Sequence, residues 1–202
     1  MNTFISELVG AAGQVVLFAL IPFIWWLITA RKKENFFKWL GLKKVKSNGG
    51  LLKAVIIAVI ALVVYGFMTS FLANKFAGDV TTAGSGFAGK GIAGVPLAFV
   101  YGLIRTGLSE EILFRGFILK RISGKFGFMA GNVIQAIAFG LVHGVPFGAA
   151  THNVGVTVAL TILPAIVGFI LGWVNEKKAS GSIVPSWMLH GITNVIVTCM
   201  AL

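Results

Sequence analysis

The sequence predicts an all-α fold: a polytopic bundle of about six transmembrane helices with one short cytoplasmic interfacial helix between the first two spans. Three observations carry this. The chain is 57% hydrophobic and only 11% charged, whereas ordinary soluble domains carry roughly 25% charged residues. Its apolar residues fall in long runs rather than in amphipathic stripes. The basic residues gather between those runs, as the positive-inside rule expects for a membrane protein.

The first span is expected at residues 8–30, bent near Pro22 and anchored by Trp25 and Trp26. It does not read as a cleavable signal peptide, since Glu7 precedes the apolar run and Arg31, Lys32 and Lys33 follow it. Residues 31–48 mix seven Lys/Arg with Phe36, Phe37, Trp39, Leu40 and Leu42, a composition suited to an interfacial helix on anionic lipid headgroups. Ser47, Asn48, Gly49 and Gly50 end it, and residues 51–76 form the second span, entered through a snorkelling Lys53. Residues 78–94, rich in Gly, Ala, Thr and Ser, are expected to form a flexible external loop.

The third span starts near Pro96 and ends at Lys120, Arg121 and Lys125. The fourth covers about 126–143 and stops in a turn at Gly144, Val145 and Pro146. The fifth covers about 154–174 with a kink near Pro164, and residues 175–178 return the chain to the basic side. The sixth begins near Ile183. This arrangement puts the basic groups at 31–46, 120–125 and 177–178 on one face and both termini outside, in the cell membrane of a prokaryote. The expected organisation is one membrane domain, 1–202. Residues 1–95 supply two spans, the basic segment and the loop; residues 96–202 supply a core of about four spans.

The net charge of +11 is therefore a topology signal, and nucleic acid is excluded as a partner. A single cysteine, Cys199, excludes an internal disulfide and a multi-cysteine zinc site. Oligomeric state leaves no mark in the sequence.

Ser109-Glu110-Glu111-Ile112-Leu113-Phe114-Arg115 stands out inside the third apolar run. Charges at membrane depth are costly, face protein or water, and carry function. Glu111 and Arg115 are four apart with the acid first, the favourable order on one helix face, and are expected to form a structural pair. Glu110 is rotated by roughly 100° from Glu111 and is left as the reactive carboxylate. Arg105 is a further intramembrane charge with no partner visible in the sequence.

Two later spans carry matching polar groups: His143 after Phe139, and His190 with Asn194 four residues on. At a rise of ~1.5 Å per residue, Glu110, His190 and Asn194 come to similar depths, and His143 requires a tilt or a late helix start. A carboxylate and two imidazoles at one level can do either of two things. They can hold zinc or another divalent metal through Glu110, His143 and His190. Alternatively, Glu110 can act directly as general base on water, with His190 and Asn194 donating to an oxyanion. Both routes end in amide hydrolysis. His152, in an external connection, fits neither.

Glu110-Glu111-x-x-x-Arg115, Phe139-x-x-x-His143 and His190-x-x-x-Asn194 resemble, in order, the three motifs of the CPBP intramembrane proteases. That family, also called Abi, includes the CAAX prenyl endopeptidases and bacterial members linked to bacteriocin immunity and peptide processing. The resemblance spans about residues 96–200. It implies that Glu110 with His143 activates water and that His190 and Asn194 stabilise the oxyanion, or that His190 joins His143 as a metal ligand. The expected activity is endoproteolysis of a membrane-associated peptide or protein. Two alternatives use the same residues: a non-enzymatic immunity or interaction protein on this scaffold, and a proton-coupled transporter relaying protons through membrane carboxylates and histidines. Against transport, no repeat with paired broken helices is present. The substrate, a prenylated C-terminus or a leader or signalling peptide, is not written in the chain.

Overall fold

Long apolar runs without charge must satisfy their own backbone in lipid, and helices do so within one segment. The computed structural model describes residues 3–76 and 85–202, and no strand occurs among them. Five helices are long and apolar enough to cross a membrane. They are α1 (Thr3–Thr29), α3 (Leu51–Phe76), α4 (Gly91–Phe126), α5 (Phe128–Thr151) and α6 (Val154–Lys178), the apolar stretch of α3 being Leu51–Leu72. The expected sixth span is α7 (Val184–Met200), at 17 residues the shortest of the set and within the lower range for a crossing of about 17–25 residues. Outward-facing side chains such as Leu17, Ile21, Ile28 and Phe67 remain largely exposed, as a lipid-facing surface requires.

The described residues divide into two compact units. The first joins Met1–Val45, Thr81–Phe117 and Ser182–Leu202; the second joins Lys46–Val80 and Ile118–Gly181.

In the first unit, the expected interfacial helix over 31–48 shrinks to α2 (Phe36–Leu40). Asn35 caps its start, its side chain accepting from the Phe37 amide at 3.0 Å. Gly41, at φ 92°, ends it in the left-handed conformation. Trp39 and Leu40 do not lie against headgroups. They are buried with Ile112, and Val15, Ala19, Trp26 and Phe117 pack around them. Composition alone does not say which face of a short helix meets protein, and here Trp39 and Leu40 lie on the packed one. Beyond Gly41 the chain runs extended, its Gly41 carbonyl accepting from the Ile183 amide at 2.9 Å and its Lys43 carbonyl from the Ser182 hydroxyl at 2.7 Å.

The expected flexible loop at 78–94 also changes character. Residues 78–84 lie outside the described residues; from 85 the chain forms two short 3-10 turns, Ser85–Phe87 and Gly91–Gly94. Phe87 is buried and its ring sits 5.1 Å from that of Tyr101, which ties this stretch down.

Helix α4 is the unusual element. Two stretches, Val100–Leu108 and Ile112–Leu119, are wound as π-helix around a three-residue α segment, Ser109–Glu111. Wide turns shift carbonyls out of their ordinary partners, and π segments recur at functional sites. Side chains take up the displaced carbonyls. Thr106 Oγ1 donates to Tyr101 O at 3.1 Å, and Trp187 Nε1 of α7 donates to Leu103 O at 2.7 Å. Helix α7 reaches α4 closely because both present glycine. A Cβ on Gly102 would stand 2.6 Å from the Val195 amide nitrogen, and one on Gly107 3.0 Å from Gly191 Cα.

In the second unit, α5 does not stop at Gly144-Val145-Pro146 but continues through Pro146 to Thr151. Proline usually breaks a soluble helix, yet membrane helices tolerate it where neighbours satisfy the freed groups. Here Gly140, Gly144 and Gly148 share one side of α5, and any Cβ there would collide with Thr157 or Thr161 of α6. That close seam holds the helix past the proline. Likewise the expected return segment 175–178 is not a loop. It is a π-wound end of α6, where Lys120 Nζ bonds Glu176 Oε1 and, at 2.8 Å, the Gly181 carbonyl.

Candidate active site

Charges inside a bilayer need partners, and the first unit supplies them on α1, α4 and α7. Glu111 and Arg115 form an ion pair at 3.0 Å with both side chains fully buried. Glu111 does more than balance the arginine. Its Oε2 accepts from the Ser186 hydroxyl, and its Oε1 lies 3.2 Å from His190 Nδ1. A carboxylate facing only one ring nitrogen fixes that nitrogen as the donor, so the imidazole is oriented with Nε2 directed away from Glu111.

His190 Nε2 lies 3.8 Å from Glu110 Oε2. The two side chains are 9% and 15% exposed, enclosed by protein yet not sealed. Asn194, one turn along α7, donates from Nδ2 to Thr106 Oγ1 at 2.8 Å. An amide nitrogen carries two hydrogens, so this contact fixes the group and leaves one N–H for another acceptor. Thus α4 and α7 bring Glu110, Glu111, Arg115, His190 and Asn194 into one cluster.

His143 belongs to the second unit. Its Nδ1 lies 2.7 Å from the Phe139 carbonyl, and its ring stacks near Phe139 with centroids 4.5 Å apart. A carbonyl only accepts, so Nδ1 carries the hydrogen and Nε2 of the neutral ring presents a lone pair. His152 caps α5 at φ 50°, a left-handed backbone position.

Arg105, without a visible partner in the sequence, finds two on α1. Its Nη1 bonds both oxygens of Glu7 at 3.1 and 3.2 Å, and its Nε donates to Gln14 Oε1 at 3.3 Å. Gln14 in turn donates to the Ser109 hydroxyl at 3.3 Å, next to Glu110. Sequence reasoning missed Glu7, Gln14, Thr106 and Ser186 as parts of this network. A signal existed for each: Glu7 and Gln14 are seven apart on an apolar helix, and Ser186 and Thr106 each precede a site residue by four.

Zinc sites with an open position take three protein ligands. The first unit offers Glu110 and His190 Nε2, while Glu111 is held by Arg115, Ser186 and His190. Among the described residues no group of three or more His, Cys, Asp or Glu side chains could hold a metal ion. Within the first unit, Glu110 and His190 thus supply two of the three protein donors that an open zinc site takes.

Apolar helices of spanning length, with a buried carboxylate–imidazole cluster on α4 and α7, mark an integral, multi-pass membrane protein. No curated protein and no solved structure matches the chain. Residues 92–196, more than half of the sequence, match the family described as type II CAAX prenyl endopeptidase Rce1-like. The chain belongs to that family, one of membrane proteases whose substrates are membrane-associated peptides or proteins.

Proposed function

We propose that this protein is an intramembrane endopeptidase in which Glu110 acts as general base on water. The observation that carries the reading is the approach of His190 Nε2 to Glu110 at 3.8 Å, with the imidazole held by Glu111. Glu110 takes a proton from water as the water oxygen attacks the peptide carbonyl carbon. The carbonyl oxygen becomes an oxyanion, met by the second N–H of Asn194 and by His190 Nε2–H in the imidazolium form. When the intermediate collapses the C–N bond breaks, and the proton held by Glu110 passes to the leaving amine. His143 is assigned to the water-activating step on its motif position alone. A metal held by Glu110, His143 and His190 is the competing route.

The setting follows from the charges. Lysine and arginine at 31–46, 120–125 and 177–178 face anionic headgroups on the cytoplasmic side of a prokaryotic cell membrane, and both termini lie outside.

The decisive test is cleavage of a membrane-associated peptide by purified protein. Comparison of membranes carrying wild-type or Glu110→Gln protein by proteomics identifies the natural product. Cleavage should vanish in Glu110→Gln and in His143→Ala, with melting temperature preserved in Glu110→Gln. Peptide binding or bacteriocin immunity that survives both changes would replace the enzyme with a scaffold; proton-dependent solute uptake without cleavage would replace it with a transporter.

A further inference from the structure

Two arginines punctuate α4, and they are held in opposite ways. Arg115 is fully buried against Glu111, as a structural ion pair should be. Arg105 pairs with Glu7 at 3.1 Å, but 37% of its side chain is exposed, against 15% for Glu7. Its guanidinium carbon lies 5.8 Å from the centre of the Tyr101 ring, which stacks beneath it. Glu7 takes Nη1 and Gln14 takes Nε; among the described residues no hydrogen bond reaches Nη2. A guanidinium is a planar fork made for a carboxylate, and this one is only partly used.

Its position links it to the chemistry. Arg105 lies five residues before Glu110, on the π-wound stretch that leads into the short α segment carrying the two glutamates. The Ser109 hydroxyl bonds back to Arg105 O and receives Gln14 Nε2, so a continuous polar chain runs from Glu7 to the residue beside Glu110. Glu7 and Gln14 lie outside the matched segment 92–196, so this contribution comes from the part of the chain that the family match leaves out.

We propose that Arg105 receives the free C-terminal carboxylate of the substrate peptide, and that Glu7 of α1 is its built-in stand-in when no substrate is bound. This rests on the protease reading for its substrate, and it makes Arg105 a specificity-determining residue. A carboxylate is the favoured ligand because a carboxylate is what the guanidinium already holds. Removing the Glu7 charge strengthens the pull on an incoming anion whether the substrate joins Glu7 or displaces it.

The probes are two fluorescent S-prenyl peptides that differ only at the C-terminus, one a free acid and one an amide. Their binding to full-length protein in lipid nanodiscs is measured, and cleavage is followed separately. Wild-type protein should bind the acid at least about tenfold more tightly than the amide. That ratio should fall to near one in Arg105→Gln, and rise about threefold or more in Glu7→Gln. The ratio within each variant cancels any general loss, and Glu7→Gln tests the idea even if Arg105→Gln fails to fold. Equal binding of acid and amide by wild type, failure of either peptide to bind, or an acid preference that survives Arg105→Gln would overturn the proposal. So would an Arg105-dependent retention of phosphatidylglycerol with no acid preference, which would assign the arginine to a lipid phosphate. Cleavage without acid preference removes this proposal and keeps the protease. Acid-selective binding with no product does the reverse.

Discussion

Replacing Glu111 separates two duties that one carboxylate performs. Glu111→Ala takes the 3.0 Å counter-charge from the fully buried Arg115 and removes the carboxylate that Ser186 and His190 Nδ1 contact. Breaking a buried ion pair from one side costs about 3–5 kcal/mol. At about 1.4 kcal/mol per decade, the unfolded fraction rises from roughly 10²-fold to several thousand-fold. The double variant Glu111→Gln/Arg115→Met removes both charges at similar volume, and such neutral replacements of buried pairs are often tolerated. It should recover most of the melting temperature, measured by tryptophan fluorescence in detergent. It should not recover activity, because a glutamine no longer fixes His190 as a carboxylate does; peptide cleavage should stay at least about tenfold down. Glu110→Gln gives the contrasting pattern, wild-type melting with no turnover. An unchanged melting temperature in Glu111→Ala would refute the structural half of this reasoning, and a fully active double variant would refute the orienting half.

Other outcomes follow from the same geometry. Gly102→Ala places a Cβ 2.6 Å from the Val195 amide and should lower stability by about 1–3 kcal/mol, read as reduced melting temperature and looser α4–α7 crosslinking. Asn194→Ala should reduce kcat about 10²- to 10³-fold if its spare N–H meets the oxyanion. Its lost bond to Thr106 is worth only about 1 kcal/mol, so melting should move little. On the glutamate-base route, dialysis against a chelator should leave the cleavage rate within about twofold of the untreated enzyme. Loss of activity restored by added metal would reverse the choice between the two hydrolytic routes.

The boundaries of α3 were readable because the break at Gly49 and Gly50 and the charge at Lys75 bracket an apolar run whose one inner charge, Lys53, lies in its first turn. The site residues on α4 and α7 were readable because charges and imidazoles are conspicuous in an apolar chain. What stayed hidden depends on contacts between distant segments. Arg105 and Glu7 are 98 residues apart, and nothing local links them. Pro146 reads as a stop, and only the glycine–threonine seam with α6 shows why α5 passes through it. The π winding of α4 is equally silent: its displaced carbonyls are satisfied by Thr106 and Trp187, the latter 84 residues from its acceptor. Trp39 and Leu40 look interfacial because composition records what a segment contains, not which distant residues, here Ile112 and Phe117, will cover it.

The concealed Glu111–Arg115 couple bears on how the polypeptide enters its bilayer. Glu111 is completed by Ser186, 75 residues further along, so α4 leaves the ribosome well before the helix that shelters its acid. Each ionised group at the centre of a lone helix costs on the order of 2.5–3.5 kcal/mol at the insertion machinery. Arg115, on the same helix, offsets part of that cost, and the contacts from Ser186 and His190 come only once α7 has been synthesised. Chains interrupted between the two would be exposed to membrane quality control, and the lateral release of α4 is the step at which its delayed companion is needed.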